Sequence, residues 1–297
     1  MTLRIGTRRS RLALAQAGEI AQALAASGVE TDLVPMTTSG DRGADPASDP
    51  AGLKGLFVAE IVRALRDGAV DVAVHSAKDL PAEDDEDLVI AAVPPRASPL
   101  DVLVTRDGQL SPGGRVGTSS VRRQAQVFRW RPDVLLKDVR GNVDARLRKL
   151  EDGEVEALVL AAAGLLRLGV VPAHAHPMSI AEMVPAPGQG TLAVQARADD
   201  RATREALAPL EHAPSRDALT AERALMRAFG GGCALPLGAF AERADGGMRL
   251  VAIVLSPEGA RYARTEVEAA TPEEVAELAR LDLAASGADE ILAAVRP

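Results

Sequence analysis

Apolar and polar positions in the first two-thirds of the chain form short strand-like runs separated by longer amphipathic segments. The pattern predicts strands at residues 3–5, 29–36 and 70–75, with helices from about residue 10 to 26 and from about 56 to 66. Such alternation is typical of sheets whose parallel strands are joined by crossover helices. We therefore expect an α/β fold.

The same frame occurs twice in the chain. Residues 65–80 align without a gap on residues 150–165, and Ile5-Gly6-Thr7 is echoed by Val116-Gly117-Thr118. The repeat predicts two similar lobes, each a mixed, mainly parallel sheet with flanking helices. This arrangement is that of type II periplasmic binding proteins.

We expect three parts, of which the last is a small C-terminal α+β domain with different composition. The boundaries are residues 1–94 with 191–209 for lobe 1, 97–185 for lobe 2 and 213–297 for the C-terminal domain. The predicted elements of that domain are a helix, three strand-like runs and a second helix, at residues 215–229, around 239, 250–255, 264–267 and from about 271.

Composition and charge narrow the class of protein. The 297 residues include one cysteine, which fits a reducing cytosol. Their net charge of −8 disfavours nucleic acid as a partner. The first ten residues lack the apolar stretch of a signal peptide. The longest apolar run, residues 157–166, is too short to cross a bilayer. We expect a cytoplasmic protein with no membrane partner.

The two copies of the repeat differ at one pair of positions that carries charge. The first copy has Lys78 and Asp79 where the second has Ala163 and Gly164. Because small residues satisfy the fold there, the charged pair is a candidate for chemistry, and it follows a strand where open α/β sheets bind ligands. A salt bridge with a purely structural role is the alternative.

Arginines collect where predicted strands end and helices begin. Helix N-termini attract anions, and guanidinium groups add bidentate bonds to carboxylate or phosphate. Together they predict a site for a ligand with several carboxylates, at the edge where a cleft between the lobes would open. Phosphate is the alternative ligand, and each arginine taken singly also fits a solvated surface position. They are Arg8, Arg122, Arg123, Arg140, Arg146 and Arg167.

A polar stretch rich in glycine and proline, residues 40–55, is predicted to be a lid loop. Lys54, beside two glycines and near Phe57, is expected to bring a cation to the bound anion. The four histidines, His75, His174, His176 and His212, offer no convincing set of three ligands, so no metal site is expected.

Cys233 is the only cysteine and directly follows three glycines. A single thiol cannot form an internal disulfide. Glycines allow a sharp turn and the close approach of a bulky group to the sulfur. Local sequence leaves two interpretations open, a small buried core residue or a functional nucleophile.

Taken together, these segments resemble the porphobilinogen deaminase family, also called hydroxymethylbilane synthase, over essentially the whole chain. The motifs that carry the resemblance are Thr7-Arg8-Arg9-Ser10, Lys54-Gly55-Leu56-Phe57, His75-Ser76-Ala77-Lys78-Asp79-Leu80-Pro81, Gly117-Thr118-Ser119-Ser120-Val121-Arg122-Arg123-Gln124, Arg140-Gly141-Asn142-Val143, Gly188-Gln189-Gly190 and Glu222-Arg223 through Gly232-Cys233.

The resemblance implies a transferase of tetrapyrrole and haem biosynthesis. Such an enzyme condenses four porphobilinogen molecules head to tail on a dipyrromethane cofactor, held by a thioether to Cys233, and releases ammonia and hydroxymethylbilane. Asp79 is the implied catalytic residue, because its carboxylate would stabilise the cationic azafulvene left by loss of ammonia and assist proton transfer.

The resemblance also assigns binding roles and implies a monomer. The implied cofactor-binding residues besides Cys233 are Lys78, Thr118, Ser119, Ser120, Arg122, Arg123, Arg140, Gly141 and Gln189. The implied substrate-binding residues are Arg8, Ser10, Lys54, Phe57, Arg146 and Arg167.

Two other classes of protein share some of these features. A solute-binding protein also has two lobes and closes on a small anion, but it leaves Lys78, Asp79 and Cys233 unexplained. A cysteine hydrolase needs a base beside Cys233, and the sequence does not identify one.

Overall fold

The computed structural model describes most of the chain, and its contacts divide the chain into two compact units. The described residues are 2–37, 52–83, 85–231 and 235–294, with the helical backbone alone for 52–57. Unit 1 comprises Met1–Arg96 and Thr191–Arg216, and unit 2 comprises Ala97–Gly190 and Asp217–Pro297.

The regular elements are numbered in chain order. The strands are β1 (Thr2–Arg8), β2 (Glu30–Met36), β3 (Val72–Ser76), β4 (Leu88–Ala92), β5 (Asp101–Thr105), β6 (Arg115–Gly117), β7 (Leu135–Lys137), β8 (Ala157–Ala161), β9 (Ala175–Pro177), β10 (Leu192–Arg197), β11 (Leu237–Ala244), β12 (Gly247–Leu255) and β13 (Tyr262–Ala269). The helices are α1 (Arg11–Ala26), α2 (Gly52–Arg66), α3 (Val121–Trp130), α4 (Val143–Glu151), α5 (Ala162–Arg167), α6 (Arg201–Leu207), α7 (Ala213–Ala228), α8 (Pro272–Ala285) and α9 (Ala288–Ala293).

Each unit contains a five-stranded sheet of the same topology. The order is β2-β1-β3-β10-β4 in unit 1 and β7-β6-β8-β5-β9 in unit 2. In both, the first two pairings are parallel and the last two are antiparallel. Four of the five strands therefore point the same way, which confirms the predicted mixed, mainly parallel sheets.

The sequence repeat is reproduced residue by residue in the pairing. Ile5 pairs with Val72 in unit 1, and Val116 pairs with Ala157 at the equivalent place in unit 2. β3 and β8 begin and end at aligned positions of the repeat. Because the two copies of the repeat have the same register, the segment after β3 and the segment after β8 occupy equivalent positions in the two sheets.

Each sheet has a core of aliphatic side chains on its helix-covered faces. In unit 1, Leu3 and Ile5 of β1 pack with Ile20 and Leu24 of α1, all of them buried. In unit 2, comparable clusters form around β5 and β8. Burying an aliphatic side chain of this size contributes about 1.5–3 kcal/mol, so these contacts hold each sheet to its helices.

The C-terminal segment adds a three-stranded antiparallel sheet, β11-β12-β13, with α8 and α9 against it. This α+β arrangement is as predicted. Val251 and Ile253 of β12 pack on Ala125 of α3 within unit 2. Thr271 caps α8 with a capping box completed by Glu274, and α8 begins where the sequence predicts a helix.

One local feature differs from the predicted lid loop at residues 40–55. Helix α2 begins at Gly52, so residues 52–55 of the predicted lid loop are helical. Residues 40–51 of that loop lie outside the described residues. The apolar run 157–166 divides between β8 and α5. Across the described ranges, no helix combines the length and apolar character that a membrane span requires.

Candidate active site

Lys78 and Asp79 lie in a 3-10 turn, Ala77–Asp79, that follows β3 directly. The amide of Ala77 donates to the carbonyl of Thr191 on the neighbouring strand segment at 3.0 Å. Gln16 of α1 donates its Nε2 to Ser76 Oγ at 2.8 Å. These bonds fix the turn at the end of the sheet, and both charged side chains are partly exposed there.

His75 lies directly beneath this turn and is buried, with 5% of its surface exposed. Burial lowers the pKa of His75 to about 4, although the negative charge of Asp79 opposes that shift. The imidazole is therefore neutral at pH 7. Its neutrality means that the buried ring does not cancel the charge of Asp79.

Arg8 and Ser10 lie at the same edge of the unit 1 sheet as Asp79. β1 and β3 are parallel neighbours, so their carboxyl ends share an edge. Arg8 is the last residue of β1 and is partly exposed. Ser10 caps α1, its hydroxyl accepting the amide of Ala13 at 3.3 Å. The edge thus carries cationic and anionic groups together.

Unit 2 contains a buried cluster around Asp101, the first residue of β5. Arg122 Nη2 lies 2.8 Å from Asp101 Oδ2, and Arg123 Nη2 lies 2.7 Å from Oδ1. Arg122 also donates to the carbonyl of Val184 at 2.6 Å, and Arg123 to that of Val159 at 3.0 Å. One carboxylate therefore holds two guanidinium groups in the interior of the unit.

The charges of this cluster do not balance. Burial opposes the ionisation of Asp101, but the two arginines outweigh it and hold the pKa of Asp101 at about 2. Burial also lowers the pKa of Arg122, with Arg123 adding to the effect and Asp101 opposing it. Arg122 Nε is buried and has no hydrogen-bond partner among the described residues. The excess positive charge and the spare donor suit a carboxylate of a ligand.

Gln189 joins this cluster from the turn Gly188-Gln189-Gly190. Its Nε2 donates to Asp101 Oδ1 at 2.9 Å and to the carbonyl of Pro99 at 2.7 Å. Gly188 and Gly190 have positive φ values of 72° and 86°. A Cβ on Gly190 would lie 2.5 Å from the carbonyl oxygen of Ala97, so the turn requires glycine there.

Thr118, Ser119 and Ser120 form the turn that leads into α3. Ser120 caps the helix by accepting the amide of Arg123 at 3.4 Å, and Thr118 Oγ1 accepts the amide of Ser120 at 3.2 Å. Ser119 and Ser120 are partly exposed, whereas Thr118 is buried. The hydroxyls and the helix N-terminus lie beside the buried arginines in sequence and in space.

The other predicted arginines of unit 2 are more exposed than this pair. Arg140 donates to Asp138 Oδ2 at 2.9 Å, and Arg146 donates to the carbonyl of Gly141 at 2.8 Å. Gly141 has a φ of 113°. Arg167, at the end of α5, donates to the carbonyl of Gly190 at 3.3 Å, so it joins the turn that carries Gln189.

Three predicted site residues have no described side chain. Cys233 lies outside the described residues, and Lys54 and Phe57 lie in the part of α2 where only the backbone is described. Within the described part of the chain, no group of three or more His, Cys, Asp or Glu side chains is placed to hold a metal ion.

Neither Asp101 nor the burial of Arg122 and Arg123 is predicted from the sequence. Asp101 begins the run Asp-Val-Leu-Val-Thr, and an acidic residue opening an otherwise apolar strand is usually paired when buried. That signal identifies a buried acid but not its partners, because the arginines are about twenty residues away in the chain.

Comparison with known proteins gives matches along the whole chain. Residues 3–205 match the family model "Porphobilinogen deaminase, dipyromethane cofactor binding domain", and residues 217–285 match "Porphobilinogen deaminase, C-terminal domain". The chain is 45% identical over 303 residues to the porphobilinogen deaminase of Syntrophotalea carbinolica, covering 99% of this chain and 96% of that one. It is 43% identical over 303 residues to that of Thermus thermophilus, covering 98% of each.

Two solved structures that match this chain are much less similar to it in sequence. A nutrient binding protein from Burkholderia cenocepacia bound to methionine matches with a TM-score of 0.43 at 11% identity, over 72% of this chain and 93% of that one. The periplasmic aliphatic sulphonate binding protein of Escherichia coli matches with a TM-score of 0.40 at 15% identity, over 76% and 70%.

Proposed function

The chain belongs to the porphobilinogen deaminase family, and we propose that Asp79 is its catalytic carboxylate. The enzyme condenses four porphobilinogen molecules head to tail on a covalent dipyrromethane cofactor and releases ammonia and hydroxymethylbilane. One observation carries the role of Asp79. At the equivalent place after β8 the same fold has Gly164, so the architecture itself does not require a carboxylate there.

Asp79 would act on charge that develops in the substrate. The protonated aminomethyl group of porphobilinogen leaves as ammonia: its C–N bond breaks, the bonding electron pair stays on nitrogen, and the positive charge passes to the ring as a cationic azafulvene. A fixed carboxylate at the sheet edge stabilises that cation more than the neutral ring that precedes it, which lowers the barrier. His75, whose buried ring is neutral at pH 7, adds no positive charge near Asp79.

The cofactor site is proposed from the chemistry of the donors. When bound, the dipyrromethane supplies the pyrrole carbon to which each new unit is joined. Each of its rings carries an acetate and a propionate, and the buried arginine pair has an excess positive charge that suits one of these carboxylates. Besides the thioether to Cys233, the proposed contacts come from Lys78, Thr118, Ser119, Ser120, Arg122, Arg123, Arg140, Gly141 and Gln189.

The incoming substrate brings two further carboxylates, for which partly exposed cations are suited. We assign its binding to Arg8, Ser10, Lys54, Phe57, Arg146 and Arg167. We also propose that the enzyme is a cytoplasmic monomer that binds this small molecule and no nucleic acid. The net charge of −8 supports the last point, because it repels a phosphate backbone.

Asp79→Asn tests the catalytic role. The substitution keeps the size of the side chain but removes its charge and replaces one acceptor oxygen with an NH2 group. Turnover should therefore fall by about 10²-fold or more. Intact mass should still show the covalent cofactor. Asp32→Asn, which alters an exposed carboxylate on β2, is the matched control and should keep full activity. Wild-type turnover in Asp79→Asn would refute the role.

Cys233→Ser tests the attachment point. The variant should have the mass of its polypeptide alone, whereas the unmodified enzyme should exceed its polypeptide mass by two linked pyrrole units. A solute-binding protein or a cysteine hydrolase would show no such excess in either form. An excess that survives the Ser substitution would place the attachment elsewhere in the chain.

A further inference from the structure

Glu222 of α7 is completely buried, with 0% of its surface exposed. Its Oε2 accepts the amide of Gly188 at 2.6 Å, and its Oε1 accepts the amide of Ala241 on β11 at 2.8 Å. Hydrogen bonds from backbone amides to an ionised carboxylate are among the stronger ones in proteins. The side chain therefore ties the turn at Gly188 to both α7 and β11 within unit 2.

The turn held by Glu222 reaches the arginine pair through one more residue. Gln189, next to Gly188, is 0% exposed and donates to Asp101 Oδ1 at 2.9 Å. Asp101 in turn contacts Arg122 and Arg123. A continuous chain of short polar contacts thus runs from the middle of α7 to the two buried guanidinium groups.

We propose that Glu222 is a positioning residue for the carboxylate-binding arginine pair. Its carboxylate fixes the peptide at Gly188, so that the Gln189 amide meets Asp101, and Asp101 then orients Arg122 and Arg123. The inference rests on the proposed role of those arginines as ligands for cofactor carboxylates. The proposed catalytic scheme assigns no role to Glu222. The positioning role gives this residue a function in preparing the cofactor site.

The geometry explains why the residue must be an acid. Two amide N–H groups approach from different elements, and each needs an acceptor. A carboxylate offers an oxygen to each, whereas an amide side chain offers one oxygen and one NH2 group. In Glu222→Gln one of the two backbone donors would face another donor, and the turn at Gly188 would lose its fixed position.

The first measurement is the fraction of folded chains that carry the covalent cofactor. Glu222→Gln should be purified as a folded protein and analysed by intact mass. We expect its cofactor-bearing fraction to fall at least several-fold, and the KM for porphobilinogen of the remaining holoenzyme to rise. Thr265→Val is the control, because it removes a buried hydrogen bond to Asp282 in the same unit, remote in sequence from the turn. It should keep the full cofactor load.

A double-substitution cycle separates positioning from a general loss of stability. Gln189→Leu interrupts the chain of contacts at the next link while keeping a similar volume. If Glu222 acts through Gln189, adding Glu222→Gln to Gln189→Leu should reduce the cofactor load no further. Effects that multiply would overturn the proposal, as would a wild-type load in Glu222→Gln. If Glu222→Gln does not fold, Glu222→Asp, which keeps the charge but shortens the reach, takes its place in the cycle.

Arg122→Leu and Arg123→Leu tell the two levels of inference apart. If both retain a full cofactor load, the assignment of the arginine pair to the cofactor fails, and the inference about Glu222 fails with it. If they lose the cofactor while Glu222→Gln and Glu222→Asp retain it, the arginine assignment stands and only the positioning role is refuted.

Discussion

Asp101 Oδ2 lies 2.8 Å from Arg122 Nη2, and both side chains are almost entirely buried. The same carboxylate also holds Arg123. A buried charge is costly without its partner, because the surrounding protein cannot replace water. Asp101 therefore offsets the desolvation cost of burying the two arginines before any ligand binds.

Asp101→Asn should lower the free energy of unfolding by ~3–5 kcal/mol, the usual cost of removing one partner from a buried ion pair. Urea unfolding at pH 7 measures the loss. Asp133→Asn removes the partner of Arg131 in an exposed pair and should cost less than about 1 kcal/mol. Equal losses in the two variants would show that the buried cluster has no special energetic role.

His75 should make the enzyme less stable as the pH falls from about 6.5 to about 4. Its pKa is about 4 in the folded protein and about 6.5 in an unfolded chain, so only the unfolded state binds a proton between these values. The contribution of His75 to the free energy of unfolding is complete above pH 6.5. It declines as the pH falls, by up to ~1.4 kcal/mol per pH unit. Below pH 4 both states are protonated and the decline ends.

His75→Gln removes this proton uptake. Its unfolding free energy, measured with urea at pH 7, 6 and 5, should fall less steeply towards acid than that of the unmodified protein. The comparison uses the slope, so a constant loss of stability caused by the substitution does not affect it. Identical slopes would mean that the imidazole has the same pKa in the folded and unfolded states.

The repeat supplies a fold-compatible replacement for the catalytic turn. Lys78→Ala combined with Asp79→Gly gives the first copy the residues that the second copy has at the same place. Both side chains are partly exposed, so little packing is lost. Glycine loses more backbone entropy on folding than aspartate does, and the free energy of unfolding should fall by about 1 kcal/mol or less. Turnover should nevertheless fall by about 10²-fold or more. Full activity would contradict a chemical role for the pair, and failure to fold would contradict the equivalence of the two turns.

The periodic parts of the fold could be predicted from the sequence because they depend on local pattern. The repeated frame at residues 65–80 and 150–165 and the helix starts near Ser10 and Thr271 are each visible within a short segment. The contacts of Asp101 and Glu222 could not be predicted in this way. Each joins segments about twenty or more residues apart, and only the folded sheet order decides which buried acid meets which donor.

The position of an arginine along the chain depends on local pattern, whereas its burial depends on contacts with distant segments. Arg8 ends β1, Arg122 and Arg123 lie in the first turn of α3, and Arg140 lies between β7 and α4, as local pattern predicts. The prediction is wrong for Arg146, the fourth residue of α4, and for Arg167, the last residue of α5.

Whether an arginine is buried depends on what packs over it. Arg122 and Arg123 are buried and contact Asp101 of β5, and Arg123 also donates to Gln189. Arg140 is exposed and Arg146 partly exposed.

That contrast predicts different effects for the two kinds of arginine. Arg146→Leu on α4 removes a partly exposed cation that donates to the carbonyl of Gly141, so the free energy of unfolding should change by less than about 1 kcal/mol. If Arg146 binds a substrate carboxylate, loss of this charged contact should raise the KM for porphobilinogen by about 10-fold or more. The cofactor load should stay complete. Arg148→Leu, an exposed arginine on the same helix, is the control for net charge and should leave KM unchanged. Equal KM values for Arg146→Leu and Arg148→Leu would remove Arg146 from the substrate site.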